Sequence, residues 1–507
     1  MSASLIVVLI YLGIVLSIGP ITASMARRGS RDDFFLAQRS IGPFLMLMSL
    51  FGTHMSAFSL VGSTGKSYVS GIGVYGLMAA STAFSAPLVI FFIAPRIWRV
   101  GKDHGFVTQC QYFRARWESD LVGLLMFVLL IAMLIPYLLM GVVGGGVVFN
   151  ALTTSAPGAG DGVPRWLGSL LIVSVTTGYV FMGGLRGTAW ANALQTIVFM
   201  VVGGIAFVVI TRHIGGSGSF LESLQAAMAS VAEKAPSRLV MQGNFAPSEF
   251  FSYTFITFAS VMMPHLNMHW MTAKRAGTFR PAIILYPLCL MVVWLPATLI
   301  GTMAAAELSL PAAKANAVLV VLIKQSAGPV LAGVLAAGVL AAVMSSLDSQ
   351  TLALSEMFTT DVINHYLGQD RLSERVQIWL ARGFVVAILA VTWVISLFDI
   401  GLVFTIGTWC FAGLSSLAPI TLAALFWKRS TACGAIASAL AVAGLGAYFL
   451  YANYMPGKGF GPGTSTFGIP VHPVIAMLLA SSLAMVVVSL LTPPPSDETL
   501  TKFHPPN

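Results

Sequence analysis

Charged residues are scarce in this chain of 507 residues: Asp, Glu, Lys and Arg make up only 9% of it, against 57% hydrophobic residues. Soluble domains contain about 25% charged residues, so this composition excludes an ordinary soluble globular class. A long polar segment is missing too, because the longest stretch between apolar runs, 212–247, predicts only a short amphipathic helix near 221–232. Cysteine is also rare, and the four cysteines lack the spacing of a metal or redox site, so we expect them to be packing residues.

Long apolar runs are what the chain has in abundance. Thirteen predicted spans lie at 4–24, 42–62, 72–95, 119–149, 166–185, 189–211, 248–270, 281–303, 328–357, 379–398, 401–427, 432–453 and 471–492. A bilayer core about 30 Å thick requires about 20 apolar helical residues. Only helices or closed barrels satisfy the backbone in lipid, and these runs are too long for barrel strands. The sequence therefore predicts an all-α polytopic membrane protein.

Basic residues predict the orientation of these spans. One alternating set of loops contains 19 of the 27 Lys and Arg residues, and the other set contains eight. Short cytoplasmic loops retain positive charge, so we expect the N-terminus outside and the C-terminus inside a cell membrane. The first span has no basic residue before it, so we expect a retained helix rather than a signal peptide. The net charge of +9 then reflects topology, and we expect no nucleic-acid partner and no obligate protein partner.

Two glycine-rich motifs resemble nucleotide sites but lack their context. Residues 62–67 have two residues between the glycines where a P-loop needs four, and residues 71–76 match GxGxxG without a preceding strand. We therefore exclude nucleotide binding at both. No nucleophile–base pair or metal cluster falls at membrane depth, so we expect a protein that is not an enzyme.

The second span contains a polar cluster at mid-depth. Gly52 is a weak helix former, and the nearby Thr53, Ser56 and Ser59 hydroxyls compete for backbone hydrogen bonds. The cluster predicts an unwound segment whose carbonyls bind an ion. The alternative is a continuous helix whose small polar face packs on a neighbour.

A second break is predicted at Pro264, which lacks an N–H donor and frees a carbonyl one turn earlier. Polar groups flank it on both sides, including Thr257 and Ser260 before it and His265 after it. Interrupted helices at corresponding places in two halves indicate the central site of a secondary transporter.

The ninth span ends in a group of hydroxyls. Ser345 and Ser346, together with the carbonyl of Ala342, offer the oxygens that a hard alkali cation prefers. The alternative is that both serines bond back to their own helix. We expect Asp348 to be a helix-terminal carboxylate in cytoplasmic water.

Three motifs resemble the sodium:solute symporter family, and the resemblance covers essentially the whole chain: 52–56, 183–195 and 342–349. It implies a leucine-transporter-like fold in which residues 42–211 and 248–427 form two inverted five-helix units. A single transporter domain, 1–507, would then include an extra N-terminal helix at 4–24 and two additional C-terminal helices within 432–492.

The resemblance also implies a Na⁺ site. Its ligands would be the carbonyls of Gly52, Met55 and Ala342 and the hydroxyls of Ser345 and Ser346. This set agrees with the oxygen-ligand argument made from the residues themselves.

The chain departs from the family pattern at several positions. Asn192 replaces a family Asp, which argues against a second sodium site, and His54 stands where Asp or Asn is common. Met268 and His269 stand where the family frequently has Gln-Arg.

We expect Na⁺-coupled import of a small solute that carries a carboxylate, such as a monocarboxylate or an amino acid. Helix N-termini at an unwound segment favour an anionic group. The expected solute ligands are His54, Ser56, Ser59, Thr257, Ser260 and Met263.

Other functions remain open at this point. A neutral sugar, nucleoside or vitamin is the alternative solute, although few aromatic residues flank the second break in the sequence. Protons would replace Na⁺ if His54 were the titrating group. A solute sensor is a more remote alternative, because we expect no output domain after the last span.

Overall fold

The computed structural model describes residues 2–25, 41–155, 160–216, 218–243, 245–368, 371–398, 401–453 and 465–503. Within these ranges the ordered elements are helices, and β structure is limited to two isolated bridges, Ile41–Ala273 and Thr466–Ile469. The predicted all-α class is confirmed. The basic cluster Arg27, Arg28 and Arg31, on which part of the orientation argument depends, lies outside the described residues.

The α-helices are named here in the order in which they follow one another along the described residues. They are α1 (Ala3–Met25), α2 (Pro43–His54), α3 (Ser63–Ser70), α4 (Ser81–Phe92), α5 (Ala94–His104), α6 (Gln109–Arg116), α7 (Asp120–Thr153), α8 (Arg165–Gly215), α9 (Phe220–Lys234), α10 (Pro247–Ser252), α11 (Pro264–Met271), α12 (Arg280–Glu307), α13 (Val318–Ser326), α14 (Pro329–Met357), α15 (His365–Leu367), α16 (Glu374–Ile395), α17 (Val403–Ser416), α18 (Ala418–Phe426), α19 (Ala432–Asn453), α20 (Val474–Leu491) and α21 (Asp497–Phe503). Three π-helical turns, Phe58–Gly62, Tyr75–Ala80 and Phe358–Asn364, and four 3₁₀ helices, Pro236–Leu239, Tyr253–Val261, Ala276–Phe279 and Ala312–Ala317, complete the described helical structure.

Ten helices among the described residues are long and apolar enough to cross a membrane, and the bent pair of Pro43–His54 and Phe58–Ser70 makes eleven. The predicted spans 166–185 and 189–211 lie on the two sides of a kink within α8, which consists of two helices. Gly184 separates them, because its φ of 52° and ψ of −151° are not helical. The predicted span 248–270 is divided among α10, a 3₁₀ helix and α11. The total of thirteen spans and their orientation stay predictions.

Helix α14 lies at the centre of the bundle. Every residue from Leu335 to Met357 is buried, including all of its polar side chains. Small residues permit this, because a Cβ on Gly338 would approach Val202 of α8 to 2.5 Å, and one on Gly333 would approach Ser4 of α1 to 2.7 Å. Close helix packing at small residues is typical of membrane bundles. The central helix therefore holds its hydroxyl groups away from lipid.

Candidate ion and solute site

The first predicted break is present. Helix α2 ends at His54, Met55 is extended at φ −79° and ψ 133°, and a π-helical turn begins at Phe58. The two helical pieces on either side of the break are bent by 55°. An interruption at this depth is stable only where the freed backbone is buried in protein or lines a cavity.

The break frees two of the carbonyls predicted to bind Na⁺. In a continuous helix, the N–H groups of Ser56 and Ser59 would bond the carbonyls of Gly52 and Met55. Here the Ser56 N–H donates to the Ser59 hydroxyl at 3.2 Å, and the Ser59 N–H donates to the Ser56 carbonyl at 3.0 Å. The N–H groups of Ser56 and Ser59 therefore bond within the turn, and neither bonds the carbonyl of Gly52 or Met55.

Helix α14 meets the break through Ser345. The Ser345 hydroxyl donates to the Met55 carbonyl at 3.3 Å and to the Ala342 carbonyl at 3.1 Å. The fully buried Ser345 hydroxyl thus lies within hydrogen-bond distance of two other predicted ligand oxygens.

The other two predicted ligands lie on the same segments but are not part of that contact. The Ser346 hydroxyl donates to Val343 of its own helix at 3.4 Å, as the alternative interpretation expected. Gly52 packs against α8, and a Cβ there would lie 2.2 Å from the Thr196 hydroxyl oxygen. A serine hydroxyl that donates to a carbonyl still has lone pairs for a cation.

The second break is also present, between the Tyr253–Val261 3₁₀ helix and α11. Side-chain amides bond several carbonyls at this break: Asn267 donates to the carbonyls of Val261 at 3.2 Å and Met263 at 3.0 Å. Gln109 of α6 donates to the carbonyl of Met262 at 3.0 Å. These three carbonyls are therefore satisfied by side chains within the protein.

A small cavity, which we call the central cavity, lies between the two breaks and has a volume of about 400 Å³ when its open side is included. Its lining residues are His54, Met55, Phe58, Ser59, Met78, Thr82, Ile256, Thr257, Ala259, Met263, Trp294 and Phe411. Four predicted solute ligands are among them. Ser56 and Ser260 do not line the cavity, since Ser56 caps the turn by accepting from the Phe58 N–H and Ser260 bonds back to Thr257.

Three aromatic residues line part of the cavity wall, although none of them flanks the second break in the sequence. Phe58 contacts Trp294 with ring centroids 5.5 Å apart and Phe411 with centroids 5.1 Å apart. Phe404 stacks on Phe58 from behind at 4.7 Å. Trp294 and Phe411 are remote in sequence, so local inspection of the breaks missed them.

His54 is held in a fixed position at the cavity wall. Its Nδ1 is hydrogen-bonded to the Tyr286 hydroxyl of α12, and its backbone carbonyl accepts from the Tyr137 hydroxyl at 3.3 Å. The Tyr286 hydroxyl therefore fixes the imidazole, and the Tyr137 hydroxyl fixes the backbone of the same residue.

Asp348 does not lie in water, so that expectation is wrong. Its side chain is fully buried, because α14 continues to Met357 and α8 packs over it. The carboxylate accepts from the Tyr179 hydroxyl at 3.0 Å and from the Ser349 N–H at 2.5 Å. When the amide oxygen of Asn192 accepts from the Ser349 hydroxyl, its amide nitrogen donates to the Asp348 carboxylate at 3.1 Å and to the Ser345 carbonyl at 2.8 Å.

The sequence of this chain is similar to those of known transport proteins. The model of the sodium:solute symporter family matches residues 34–442. The chain is 26% identical over 489 residues to a sodium/proline symporter of Haemophilus influenzae, covering 93% of this chain and 92% of the relative. It is 23% identical over 497 residues to the sodium/proline symporter of Escherichia coli, covering 93% of this chain and 90% of the relative.

Solved structures share the fold. A Na⁺-coupled sialic acid symporter in a substrate-bound outward-open state superposes with a TM-score of 0.77 at 15% identity, covering 98% of this chain and 99% of that one. The nucleobase-cation-symport-1 family transporter Mhp1 superposes with a TM-score of 0.56 at 14% identity, covering 92% of this chain and 97% of that one.

Proposed function

The chain belongs to the sodium:solute symporter family, and on that premise we propose that it imports a small amino acid together with one Na⁺. It is a multi-pass membrane protein that couples solute transport to Na⁺, and it is not an enzyme. The identity of the solute and the positions of both ligands are the proposed part.

The Na⁺ is proposed to bind between the first break and α14. Its ligands would be the carbonyls of Gly52, Met55 and Ala342 and the hydroxyls of Ser345 and Ser346. Support comes from the two freed carbonyls and from the Ser345 hydroxyl, which lies 3.3 Å from Met55 and 3.1 Å from Ala342. Neutral oxygens suit a monovalent cation, because they replace its water ligands without adding a buried charge.

The solute is proposed to occupy the central cavity. The observation that carries this proposal is the cavity itself: it is small, it lies between the two breaks, and no charged side chain lines it. A zwitterion brings no net charge into such a site. His54 and the N-terminal end of α11 would face the carboxylate, the hydroxyls of Ser59 and Thr257 would face the amino group, and the rings would pack on the apolar part. The relatives named as proline symporters support a compact amino acid such as proline.

Coupling would follow from the shared segment. Met55 would contribute its carbonyl to the ion site, and it also lines the central cavity. An ion that fixes this segment would preorganise the solute site, and bound solute must tighten Na⁺ by the same factor. We propose that both ligands stabilise an occluded state before release to the inside.

Uptake by the full-length protein in liposomes tests this proposal. Labelled proline, lactate and glucose would each be offered under an inward Na⁺ gradient and again with choline replacing Na⁺. We expect uptake of proline that disappears without Na⁺. Lactate uptake alone would indicate a monocarboxylate, and uptake that persists in choline under a proton gradient would overturn Na⁺ coupling.

The aromatic wall favours a second candidate, a neutral sugar. Phe58, Trp294 and Phe411 present apolar faces of the kind that pack against sugar rings. Na⁺-dependent glucose uptake without proline uptake in the same assay would select this candidate.

A further inference from the structure

A second, larger cavity lies on the opposite side of the Tyr253–Val261 3₁₀ helix from the central cavity. It has a volume of about 1560 Å³, and we call it the side groove. Its wall is formed by α4, the 3₁₀ helix, α18 and α20. The lining residues are Leu88, Val89, Phe92, Ile93, Phe255, Phe258, Val261, Ala418, Pro419, Leu422, Ala423, Phe426, Trp427, Leu478, Ser482, Met485 and Val486. This set contains no charged side chain, which suits a hydrocarbon occupant.

The same 3₁₀ helix forms part of both walls. Phe255, Phe258 and Val261 line the side groove, whereas Ile256 and Thr257 line the central cavity. This 3₁₀ helix has nine residues, which is unusually long. The hydrogen-bond geometry of 3₁₀ helices is poorer than that of α-helices and usually limits them to three or four residues. Its position therefore depends strongly on what packs against each side.

One end of the side groove carries positive charge. The Arg96 guanidinium lies 4.7 Å from the ring centroid of Phe426, and it donates to the Phe92 carbonyl at 2.7 Å. Both aromatic residues line the groove. Arg96 is itself exposed, and an arginine has five donors, so it retains donors for an external oxyanion.

We propose that the side groove binds an acyl chain of an anionic phospholipid whose phosphate contacts Arg96, and that this lipid supports the 3₁₀ helix from behind. The apolar lining fits a hydrocarbon chain at membrane depth. The planar guanidinium matches a phosphate group. The basic end belongs to the loop set predicted to face the cytoplasm, where anionic lipids concentrate.

Tryptophan quenching by brominated lipids tests this proposal in the full-length protein. Trp427 lines the groove, and comparison with Trp427→Phe isolates its signal from the other nine of the ten tryptophans. The protein would be reconstituted in vesicles containing brominated phosphatidylglycerol or brominated phosphatidylcholine. One favourable Arg contact is worth about 1 kcal/mol, so we expect about five-fold preference for the anionic lipid at Trp427.

Two variants on α5 make the test specific. Arg96→Gln should abolish the preference, and Arg99→Gln, which removes the same charge from an exposed position on the same helix, should retain it. Arg96→Lys keeps the positive charge and replaces Arg96→Gln in the test if that variant does not fold. It should retain part of the preference for the anionic lipid. Equal quenching by both lipids in the wild type, or an unchanged preference in Arg96→Gln, would overturn the proposal. Neither solute nor Na⁺ enters the assay, so its failure is separate from failure of the proposed function.

Discussion

At the level of single residues, one hydroxyl group joins the two halves of the proposed ion site. Replacing Ser345 by Ala removes the group that contacts both Met55 and Ala342. Interactions of a polar group with a charge are worth about 1.5–3 kcal/mol, so the Na⁺ concentration for half-maximal uptake should rise at least about ten-fold. The measurement is the Na⁺ dependence of solute uptake in proteoliposomes.

A second serine on the same helix is the matched control. Ser355 is fully buried like Ser345, but its hydroxyl donates to Leu352 of its own helix at 2.8 Å. Ser355→Ala should leave the Na⁺ dependence unchanged. Equal shifts in both variants would mean that Ser345 acts on packing rather than on the ion.

His54 is expected to act on the solute rather than on Na⁺. His54→Ala removes an imidazole that lines the central cavity, so the solute KM should rise about ten-fold while the Na⁺ dependence changes much less. Tyr286→Phe, which removes the hydroxyl bonded to the imidazole, should act in the same direction with smaller effect. An unchanged KM in His54→Ala would exclude His54 from the solute site.

Local patterns predicted the breaks and the proposed ligand residues inside them, but they missed the cavity-lining residues that come from other helices. Gly52 and Met55 stand in a run of weak helix formers, a signal that depends only on neighbouring residues. Phe411 reaches the same cavity from a helix more than 300 residues later, and no local pattern marks it. Asp348 was misplaced for a related reason, because the groups that satisfy its carboxylate, Tyr179 and Asn192, come from α8.

At the level of helices, the kink in α8 depends on one glycine. The φ of 52° and ψ of −151° at Gly184 lie in a region that is essentially restricted to glycine. Gly184→Ala should therefore lower the free energy of unfolding by about 1–3 kcal/mol. Thermal denaturation of the purified protein in detergent measures this.

Gly203 on the same helix provides the comparison. A Cβ there would meet no heavy atom within 4 Å, and its φ is not in the left-handed region. Gly203→Ala should leave the melting temperature unchanged or raise it slightly, because alanine favours helix over glycine. A similar loss in both variants would contradict a special role for the kink.

The contact between α8 and α14 includes the amide of Asn192, at a position where the resemblance to the family implies a carboxylate. Asn192→Asp would place a second carboxylate about 3 Å from buried Asp348, and two like charges at that distance repel. We expect a loss of about 3 kcal/mol in stability. Adding Asp348→Asn should restore most of it, because one carboxylate and one amide are again paired. Additive losses in the double variant would show that the two side chains do not interact.

Helix composition predicted the class and the interruptions. The second and seventh predicted spans are broken where weak helix formers and Pro264 indicated. The predicted spans 166–185 and 189–211 lie on the two sides of Gly184, whose non-helical torsions separate two helices within α8. Hydropathy located this boundary, but it does not register the single backbone torsion that makes the kink. The division into units 42–211 and 248–427 stays a prediction.

At the level of the whole molecule, the expected stoichiometry sets how far the solute can be concentrated. One charge crossing 100 mV and a ten-fold Na⁺ gradient together provide about 3.7 kcal/mol, which sustains about 500-fold accumulation of a zwitterion. Removing the membrane potential should reduce this to about ten-fold. Steady-state uptake in proteoliposomes with a clamped potential measures both values. An accumulation ratio that does not change with the membrane potential would indicate an anionic solute instead.

The first helix packs tightly against two neighbours. Its Ser4 hydroxyl donates to the Pro329 carbonyl of α14 at 2.6 Å, and a Cβ on its Gly19 would approach Tyr179 of α8 to 2.8 Å. Such close contacts oppose the separation of the three helices. We therefore expect α1, α14 and the N-terminal part of α8 to move as one unit when the angle between the interrupted helices changes.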